Sequence, residues 1–525
     1  MGDLDLLKLR NRVDALLAPW NRPNSPGVSV GVVREGALLV QASAGMASLE
    51  LGVKLGPDSR FRIASVSKQF TCAAVMRLVA EGKVAVTDPV QTYFPELPHY
   101  EAPVTIDHLM HNTSGIRDML QIMQLGGCDL SVPVRPKDLL DGIVRQRSLN
   151  FAPGSRYLYS NSNFLLLGLL VERVTGIALR DYLATHFFAP NGMTRTAMVE
   201  SVAWVEPGLA TGYLAAPGGG WVRAQHGFPI HGEGALVSSV GDLALWHRAY
   251  ETDPALAASL EAQSTFPTEV VNHYARGLMI AEVGGLRTIS HGGLWPGYRT
   301  EFLRVPEIAT GIVVITNNGT ADAYQIGQSV LEAVVDRPLA LAMPAGLDRF
   351  VGRFLDPATP QTVEFALAAD GTLTGTSFGL PFQLRANADG SLRASRASPD
   401  FSAHLASDDI LVVEEDAGIR GHWQRVAEDA VLPADLAGTY RSDEMAAEWT
   451  IGSIGGVLRV AIDGPILRTA EWDIVPVSAD VVRFYLPGTL ARSWMEAQVE
   501  RDAAGAISGL LVNSGRVKRL ALRRI

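Results

Sequence analysis

Apolar residues near the start of the chain follow first a helical and then a strand spacing. A helix is predicted by apolar residues at intervals of three or four positions, Leu6, Leu9, Val13 and Leu16. Over residues 27–33 apolar residues alternate with small or polar ones, and the alternation resumes over 37–40. The intervening Arg34-Glu35-Gly36 is typical of a tight turn, so the sequence predicts a β-hairpin here.

The next long element is a predicted helix over residues 66–81, which Gly82 is expected to end. From there to about residue 245, helices and loops dominate. A strand pattern returns over 298–316. Strands at both ends therefore flank a mostly helical middle. This order indicates an α+β unit, in which one sheet is built from both ends and helices pack on it.

Beyond residue 335 the pattern changes to short alternating runs. Pro338 and Pro344 bracket a predicted linker, and the runs after it are separated by turn residues. Asp370-Gly371 and Asp389-Gly390 are such turns, and each is typical of a tight hairpin. The last third of the chain is therefore predicted to be antiparallel β structure.

A weak repeat divides this β region. Residues 347–354 resemble residues 433–440, about 85 positions later. We interpret the repeat as the start of two small antiparallel β domains, both of them barrels. The alternative is a chance match between two strand starts. The predicted domains are 1–335, 345–430 and 431–525.

Length and charge exclude several classes of protein. The chain has 525 residues, 47% of them hydrophobic, which is enough for several cores. Its net charge is −10 and no basic face or arm stands out, so nucleic acid is not an expected partner. The longest apolar runs, such as 164–170, are too short to span a bilayer, so no membrane partner is expected.

The N-terminus and the cysteines bear on the compartment. Early acidic residues and spaced leucines favour a mature helix over a signal peptide. Only two cysteines occur, Cys72 and Cys128, so neither a disulfide framework nor a cysteine metal site is predicted. We therefore expect a reducing, cytoplasmic location.

The first candidate for chemistry is Ser65-Val66-Ser67-Lys68. A serine hydroxyl is a weak nucleophile unless a neighbouring group takes its proton. On a helix this spacing places Ser65 and Lys68 on one face, and burial of the lysine would let it help to activate the serine. Ser65 would lie at a helix N-terminus, where free N–H groups favour developing negative charge. Alone, the pattern fits a capped helix with an exposed lysine equally well.

The second candidate is Tyr159-Ser160-Asn161, which follows the loop residues Pro153-Gly154 and precedes an apolar helix. A loop that enters a helix can bring side chains into a cleft. Beside a lysine ammonium, Tyr159 would ionise more readily and act as a base, and Asn161 could hold a substrate amide. Ordinary loop and capping roles explain the same residues when this motif is taken alone.

The third candidate is His291-Gly292-Gly293, after the strand-like segment 286–290. Two glycines beside a histidine allow a substrate to approach the backbone closely. The backbone N–H groups of Leu294 and Ser65 could then form an oxyanion hole. A turn with an incidental histidine is the alternative for this motif alone.

In this order the three motifs resemble those of the penicillin-recognising serine hydrolases. That group contains class C β-lactamases, D-Ala-D-Ala carboxypeptidases, related esterases and D-aminopeptidases. Further similarity to the group lies in the segments 61–71, 111–115, 188–193 and 233–239. Within it, residues 65–72 and 438–444 resemble the three-domain D-aminopeptidases, and this resemblance covers essentially the whole chain.

The resemblance implies a β-lactamase/transpeptidase-like catalytic domain, with an antiparallel sheet and a helical subdomain, followed by two small antiparallel β-barrels. Acyl transfer to a serine needs no metal or organic cofactor, so none is expected, and the D-aminopeptidase relatives suggest a homodimer. The resemblance also gives roles to residues of all three motifs: the nucleophile Ser65, the proton-transfer partners Lys68 and Tyr159, the third-motif residue His291 and the substrate contact Asn161. Gly293 and Leu294 are expected to contact the substrate because of the third motif itself.

Two departures from these relatives concern the substrate. Many β-lactamases and carboxypeptidases have lysine where this chain has His291, and a histidine, mostly neutral at pH 7, disfavours penicillin-type anions. In D-aminopeptidases an acidic residue on a loop from the last β domain helps to select a free N-terminal amine. The matching stretch here, 486–494, offers Arg492 and Trp494 instead, and a cation there would repel an ammonium. A solvated surface role for Arg492 is the alternative.

Four functions are compatible with these residues. The first is a D-aminopeptidase-like peptidase or amidase that forms an acyl-enzyme on Ser65 with a small peptide or amide. The second is an esterase with the same machinery. The third is a non-catalytic binding protein that kept the fold, which the presence of Ser65, Lys68, Tyr159 and His291 disfavours. The fourth is a β-lactamase, which His291 disfavours.

Overall fold

The computed structural model describes residues 5–525 except 130, 229, 395–400, 428, 467–471 and 486–492. In these residues the α-helices are α1 (Leu6–Leu17), α2 (Lys68–Ala80), α3 (Ile106–Met110), α4 (Met119–Leu125), α5 (Pro136–Val144), α6 (Asn161–Thr175), α7 (Leu179–Leu183), α8 (Val240–Thr252), α9 (Pro254–Glu261) and α10 (Ala323–Val335). A π-helical segment, Ala184–Phe188, follows α7. Short 3₁₀-helices cover Ala18–Trp20, Ala64–Ser67, Val90–Thr92, Pro306–Ile308 and Leu347–Phe350.

The strands fall into three groups along the chain. The N-terminal unit contains β1 (Val28–Arg34), β2 (Ala37–Ala44), β3 (Met46–Ser48), β4 (Val53–Lys54), β5 (Phe61–Arg62), β6 (Ala197–Met198), β7 (Tyr213–Ala215), β8 (Trp221–Arg223), β9 (Leu236–Ser238), β10 (Met279–Val283), β11 (Leu286–Trp295), β12 (Tyr298–Val305) and β13 (Thr310–Thr316). The next group is β14 (Gly352–Asp356), β15 (Gln361–Leu367), β16 (Leu373–Ser377), β17 (Leu380–Ala386), β18 (Leu392–Ala394), β19 (Phe401–Ser407), β20 (Ile410–Glu415) and β21 (Arg420–Arg425). The last is β22 (Gly438–Ser442), β23 (Ala447–Ile454), β24 (Val457–Asp463), β25 (Trp472–Ser478), β26 (Val481–Tyr485), β27 (Trp494–Arg501), β28 (Ile507–Ser514) and β29 (Val517–Arg524).

The main sheet of the N-terminal unit joins its two ends, as the sequence predicts. Its strand order is β10-β11-β12-β13-β1-β2. β1 and β13 are antiparallel neighbours, from Val28 opposite Thr316 to Arg34 opposite Thr310. Helices α1 and α10 cover one face of the sheet and α8 packs against β1 and β13. β1 and β13 thus form the centre of the fold, because both strands are almost entirely buried.

The predicted helix over 66–81 is found with a different start. A 3₁₀ turn covers Ala64–Ser67, and α2 follows from Lys68 to Ala80. Gly82, with φ +69°, follows the helix end as expected. Helix α2 packs against α6 in the large core of the N-terminal unit, where Phe70 stacks on Trp246 with 4.3 Å between the ring centroids.

Each of the last two groups of strands closes into an eight-stranded antiparallel barrel. The first barrel closes where β14 pairs with β21, and the second where β22 pairs with β29. The turns at Gly371 and Gly390 have φ of +84° and +83°, and each connects neighbouring strands of the first barrel. The expectation of two β-barrels is therefore confirmed.

The sequence repeat corresponds to one structural motif used twice. Gly352 and Gly438 each open the first strand of a barrel, with φ of +132° and +157°. A Cβ atom on Gly352 would lie 2.5 Å from Nη1 of Arg425, and one on Gly438 would lie 3.0 Å from Nε of Arg524. Each arginine belongs to the last strand of its barrel and donates to backbone carbonyls just before the first strand. The positive φ favours glycine at both positions, and the guanidinium of the closing strand occupies the space beside it.

The second barrel docks on the N-terminal unit through buried polar contacts. Nη1 of Arg117 lies 3.1 Å from Glu444, and the guanidinium is almost completely buried. Nε1 of Trp449 donates to the carbonyl oxygen of Leu125 at 3.0 Å. These contacts hold the second barrel beside helix α4, and α4 begins next to the candidate site described below.

Within the described ranges, no single helix has the length and apolar composition needed to cross a membrane. The bent pair formed by α6 and the segment Leu179–Phe188 meets those criteria of length and composition when its two parts are taken together. Helix α6 is largely buried in the core of the N-terminal unit. Cys72 and Cys128 are both buried and both carry free thiols.

Candidate active site

Ser65 lies at a strained connection between strand β5 and helix α2. β5 pairs with β9 and directs the chain toward the helix. Ala64, immediately before Ser65, has φ +49°, a left-handed conformation that costs a residue with a side chain about 1–3 kcal/mol. Ser65 is partly exposed, whereas its neighbours from Phe61 to Phe70 are all buried. The turn therefore presents one hydroxyl to the cleft.

Lys68 lies one turn after Ser65 and is completely buried. Its Nζ is 3.1 Å from Oγ of Ser65, 2.9 Å from Oδ1 of Asn161 and 2.7 Å from the carbonyl oxygen of Glu233. The last two atoms are pure acceptors, so they fix two N–H groups of the amine. The remaining direction on Nζ points at the hydroxyl of Ser65. A neutral amine held in this way directs its lone pair at the proton of Ser65.

The surroundings of Lys68 favour this neutral form. Burial lowers the pKa of Lys68 to about 7; Glu233 opposes the shift, and the positive charge of Arg516 adds to it. Burial also raises the pKa of the Glu233 carboxyl, which favours its protonated form. Near neutral pH a substantial share of the molecules therefore carries an uncharged Lys68, as a general base requires.

Tyr159 reaches the same hydroxyl from the segment before α6. It makes a side-chain hydrogen bond with Ser65, and its ring centre lies 4.8 Å from Nζ of Lys68. Burial raises the pKa of Tyr159, more than Arg516 and the bond to Ser65 lower it. The expectation that Tyr159 ionises readily is therefore wrong for this environment, because desolvation outweighs the nearby positive charge. Tyr159 instead offers a protonated hydroxyl beside Ser65.

Asn161 is bound by protein groups on both sides of its amide. Oδ1 accepts from Lys68, and Nδ2 donates to Oδ2 of Asp118 at 2.9 Å. The backbone N–H of Asn161 donates to the same carboxylate oxygen at 2.8 Å. Asn161 thus orients Lys68, and the second hydrogen on Nδ2 is the one that a substrate carbonyl could use.

His291 lies on β11 at the other side of the cleft and is 4% exposed. Its Nδ1 is 2.7 Å from the carbonyl oxygen of Gly292, and its Nε2 is 2.9 Å from the hydroxyl of Tyr274. Burial raises the pKa of Tyr274, so this hydroxyl keeps its proton and donates to Nε2. The ring centroids of His291 and Tyr159 are 6.0 Å apart. His291 is therefore next to the catalytic candidates, in a tautomer with hydrogen on Nδ1.

Gly293 and Leu294 lie where β11 faces the turn that carries Ser65. β10 pairs with β11 only as far as Ser290, so the following residues are not covered by that strand. A Cβ atom on Gly293 would lie 2.2 Å from the carbonyl oxygen of Ile63, so only glycine permits this approach. The approach places β11 against the turn that carries Ser65, the arrangement in which backbone N–H groups of the strand and of the turn can serve as an oxyanion hole.

The structure brings Ser65, Lys68, Tyr159, Asn161, His291 and Gly293 together, whereas the predicted cation Arg492 lies outside the described residues. Trp494, at the other end of that loop, is buried under the guanidinium of Arg483, with 4.1 Å between the guanidinium carbon and the ring centre. Its backbone N–H donates to the carbonyl oxygen of Phe378 in the first barrel at 3.4 Å, so Trp494 lies between the two barrels.

Sequence reasoning missed two charged residues of the site, Asp118 and Arg516. Asp118 caps α4 and holds Asn161. Arg516 belongs to the turn between β28 and β29 and lies over the ring of Tyr159. The sequence signals for these two residues were weak. Asp118 comes shortly after segment 111–115, and Arg516 lies in a predicted strand region where a turn can present a cation. Among the residues that the structure describes, no group of three or more His, Cys, Asp or Glu side chains is arranged to hold a metal ion.

Comparison with known proteins places this geometry in context. A sequence model of the Beta-lactamase family matches residues 9–335. The D-aminopeptidase of Brucella melitensis biotype 1 is 26% identical to the chain over 536 aligned positions, which cover 100% of both proteins.

Two solved structures share the fold. The octameric penicillin-binding protein homologue from Pyrococcus abyssi matches with a TM-score of 0.56 at 19% identity, over 99% of this chain and 100% of that one. The D-amino acid amidase from Ochrobactrum anthropi SV3 matches with a TM-score of 0.54 at 22% identity, over 62% of this chain and 99% of that one. The family resemblance and the fold expected from the sequence are thereby confirmed.

Proposed function

The chain belongs to the Beta-lactamase family, and we propose that it is a serine hydrolase that cleaves small amides or peptides through an acyl-enzyme on Ser65. The observation that carries the proposal is the position of Lys68. Its two fixed N–H groups leave the third position of the amine directed at Oγ of Ser65, 3.1 Å away. Two positions of this buried amine are already held by protein acceptors, so Ser65 is not required to hold the amine in place. The remaining position is suited to take the proton of the serine hydroxyl.

The proposed reaction has two acyl-transfer steps. Lys68 takes the proton of Ser65 as Oγ attacks the substrate carbonyl, and the backbone N–H groups of Ser65 and Leu294 hold the oxyanion. The leaving amine receives a proton from the hydroxyl of Tyr159, and Lys68 returns its proton to Tyr159. Water then attacks the ester carbonyl and loses a proton to Lys68. The bond between the acyl carbon and Oγ of Ser65 breaks, and Lys68 gives that proton to Oγ, which restores the hydroxyl and releases the acid.

An amidase or peptidase is favoured over an esterase by the full-length similarity to D-aminopeptidases. We also propose that the domains are 1–335, 345–430 and 431–525, and that the last of them supplies a loop to the active site. We further propose that the enzyme is a cytoplasmic homodimer. The homodimer is tested by sedimentation.

The experiment that tests the chemistry is intact-mass detection of the acyl-enzyme. Wild type is mixed with D-alanine p-nitroanilide, its N-acetyl analogue, p-nitrophenyl acetate and a penicillin, and is quenched within milliseconds. We expect an adduct with at least one carbonyl compound, located on the peptide that contains Ser65. The S65A variant should form no adduct and turn nothing over.

The S155A variant is the matched control. Ser155 lies on the loop before Tyr159, and among the residues that the structure describes its Oγ donates only to a local carbonyl, that of Ala152. We expect it to keep wild-type turnover. Hydrolysis that persists in S65A would sink the proposal.

A further inference from the structure

The turn between β28 and β29 of the second barrel is fixed against the candidate active site. The backbone N–H of Arg516 donates to Oε1 of Gln121 at 2.5 Å, and the hydroxyl of Ser514 donates to the same oxygen at 2.6 Å. The carbonyl oxygen of Arg516 accepts from Nδ2 of Asn150 at 3.0 Å. Three hydrogen bonds thus determine where the side chain of Arg516 begins.

That side chain reaches the tyrosine beside the nucleophile. The guanidinium carbon of Arg516 lies 4.6 Å from the ring centre of Tyr159. A planar guanidinium against an aromatic ring is held in orientation by the stacking and by the charge–quadrupole attraction. The side chain of Arg516 remains 30% exposed, so a ligand from solvent can reach it beside Tyr159.

The contact with Asp118 does not explain why Arg516 is placed here. The carboxylate of Asp118 is completely buried and accepts from four protein donors: the backbone N–H groups of Leu120, Gln121 and Asn161, and Nδ2 of Asn161. Arg516 adds only one long contact, 3.5 Å from Nη1 to Oδ2. Within the described part of the chain this is the guanidinium's one hydrogen bond, and a guanidinium carries five N–H donors.

We propose that Arg516 is an anion subsite of the active site and binds a carboxylate of the substrate next to the scissile bond. This inference rests on the proposed function and specifies its substrate class: amides or peptides that carry an acidic group close to the carbonyl attacked by Ser65. A carboxylate matches the fork of N–H donors of a guanidinium, whereas a free N-terminal ammonium at the same place is repelled.

The expected selectivity follows from the strength of such a contact. A hydrogen bond between charged groups contributes more than a neutral one, and partial exposure to water weakens it. We therefore expect an acidic substrate to exceed its neutral analogue in kcat/KM by roughly tenfold to a hundredfold. The preference should decrease at high salt, because the subsite is partly exposed.

The test uses D-alanine p-nitroanilide in three forms that differ in charge: the free amine, the N-acetyl compound and the N-succinyl compound. Full-length wild type should prefer the succinyl compound. In R516A the ratio of succinyl to acetyl kcat/KM should fall to about one. R516K should keep part of the preference, since it retains the charge without the fork. R523A, a change of an exposed arginine on β29, should behave like wild type.

Binding to the S65A protein gives the same comparison without catalysis. Calorimetry should show tighter binding of the succinyl compound than of the acetyl compound, and the difference should vanish in S65A/R516A. Equal affinities, no binding of the succinyl compound, or a ratio that R516A leaves unchanged overturns the inference. Those results leave the role of Ser65 intact, whereas hydrolysis that survives S65A defeats the proposed function and not the subsite.

Discussion

Nζ of Lys68 and Oγ of Ser65 are 3.1 Å apart, and the lysine is completely buried. A buried ammonium normally has a carboxylate partner, because an isolated charge is costly to desolvate. Lys68 instead donates to an amide oxygen and a backbone carbonyl, Asn161 Oδ1 and Glu233 O. The arrangement disfavours the charged form and favours an amine that accepts a proton.

Replacement of Lys68 by methionine should therefore abolish catalysis without unfolding the protein. Methionine has a similar length and no charge, so it fits the buried position, whereas the proton acceptor for Ser65 is lost. We expect kcat to fall by about 10²–10⁴-fold. Steady-state turnover measures the loss, and a thermal melt within a few degrees of wild type shows that the fold is intact. Turnover within a few fold of wild type would contradict the role of Lys68.

The pH profile should report the same group. With the pKa of Lys68 near 7, the base is protonated and inactive at lower pH, so kcat/KM should rise through about pH 7 and then level off. The raised pKa of Tyr159 keeps its hydroxyl protonated on the plateau. The charge of Arg516 lowers the pKa of Lys68, so R516A should move the rise to higher pH. R523A should leave the pH of this rise unchanged. A rise that does not move in R516A would show that the two charges are not coupled.

Local patterns predicted most of the fold. Helix α1, the hairpin of β1 and β2 and the buried strand β13 follow from spacing, because each places its apolar residues on a face that the fold buries. The start of α2 was missed. Ala64 adopts a left-handed conformation that its residue type does not signal, and the turn at Ser65 tightens to a 3₁₀-helix.

Some residues of the candidate site were likewise predictable from local sequence, and others were not. Ser65, Lys68, Tyr159, Asn161 and His291 lie in motifs that sequence can recognise, and the structure brings them together. Arg516 reaches Asp118 from 398 positions away, because a barrel docks on a helix. Nothing local predicts that docking. The properties of Tyr159 also depend on burial, which a motif does not report.

Gly293 should be intolerant of alanine. Its added Cβ would lie 2.2 Å from the carbonyl oxygen of Ile63, a backbone atom that cannot rotate away. We expect G293A to destabilise the protein by roughly 1–3 kcal/mol and to reduce kcat strongly, because β11 must move away from Ser65. Thermal melting and turnover with p-nitrophenyl acetate measure the two effects.

The control for Gly293 is another glycine in a strand. Gly452 of β23 has, within the described ranges, no heavy atom within 4 Å of the position that a Cβ would occupy, and its φ is not positive. G452A should leave turnover unchanged and alter stability by no more than about 1 kcal/mol. If G293A behaves like G452A, the close approach of β11 to the nucleophile turn is not required for activity.

The last prediction concerns Arg483 of the second barrel, which forms ion pairs with Glu496 of its own barrel and with Glu364 of the first barrel. Nη2 of Arg483 lies 2.7 Å from Oε1 of Glu496, and Nη1 lies 2.6 Å from Glu364 on the first barrel. The side chains of Arg483 and Glu496 are 1% and 0% exposed. R483M leaves the Glu496 carboxylate buried without its cation, so it should destabilise the barrels by roughly 3–5 kcal/mol. R483M/E496L should recover much of this loss of stability, since it removes both charges from the interior.

The control is R459M, at an exposed ion pair with Asp473. The two side chains of that pair are 37% and 52% exposed, so R459M should cost less than about 1 kcal/mol. Urea unfolding followed by tryptophan fluorescence separates the variants, and a double variant no more stable than R483M would show that the pair itself holds the barrels together.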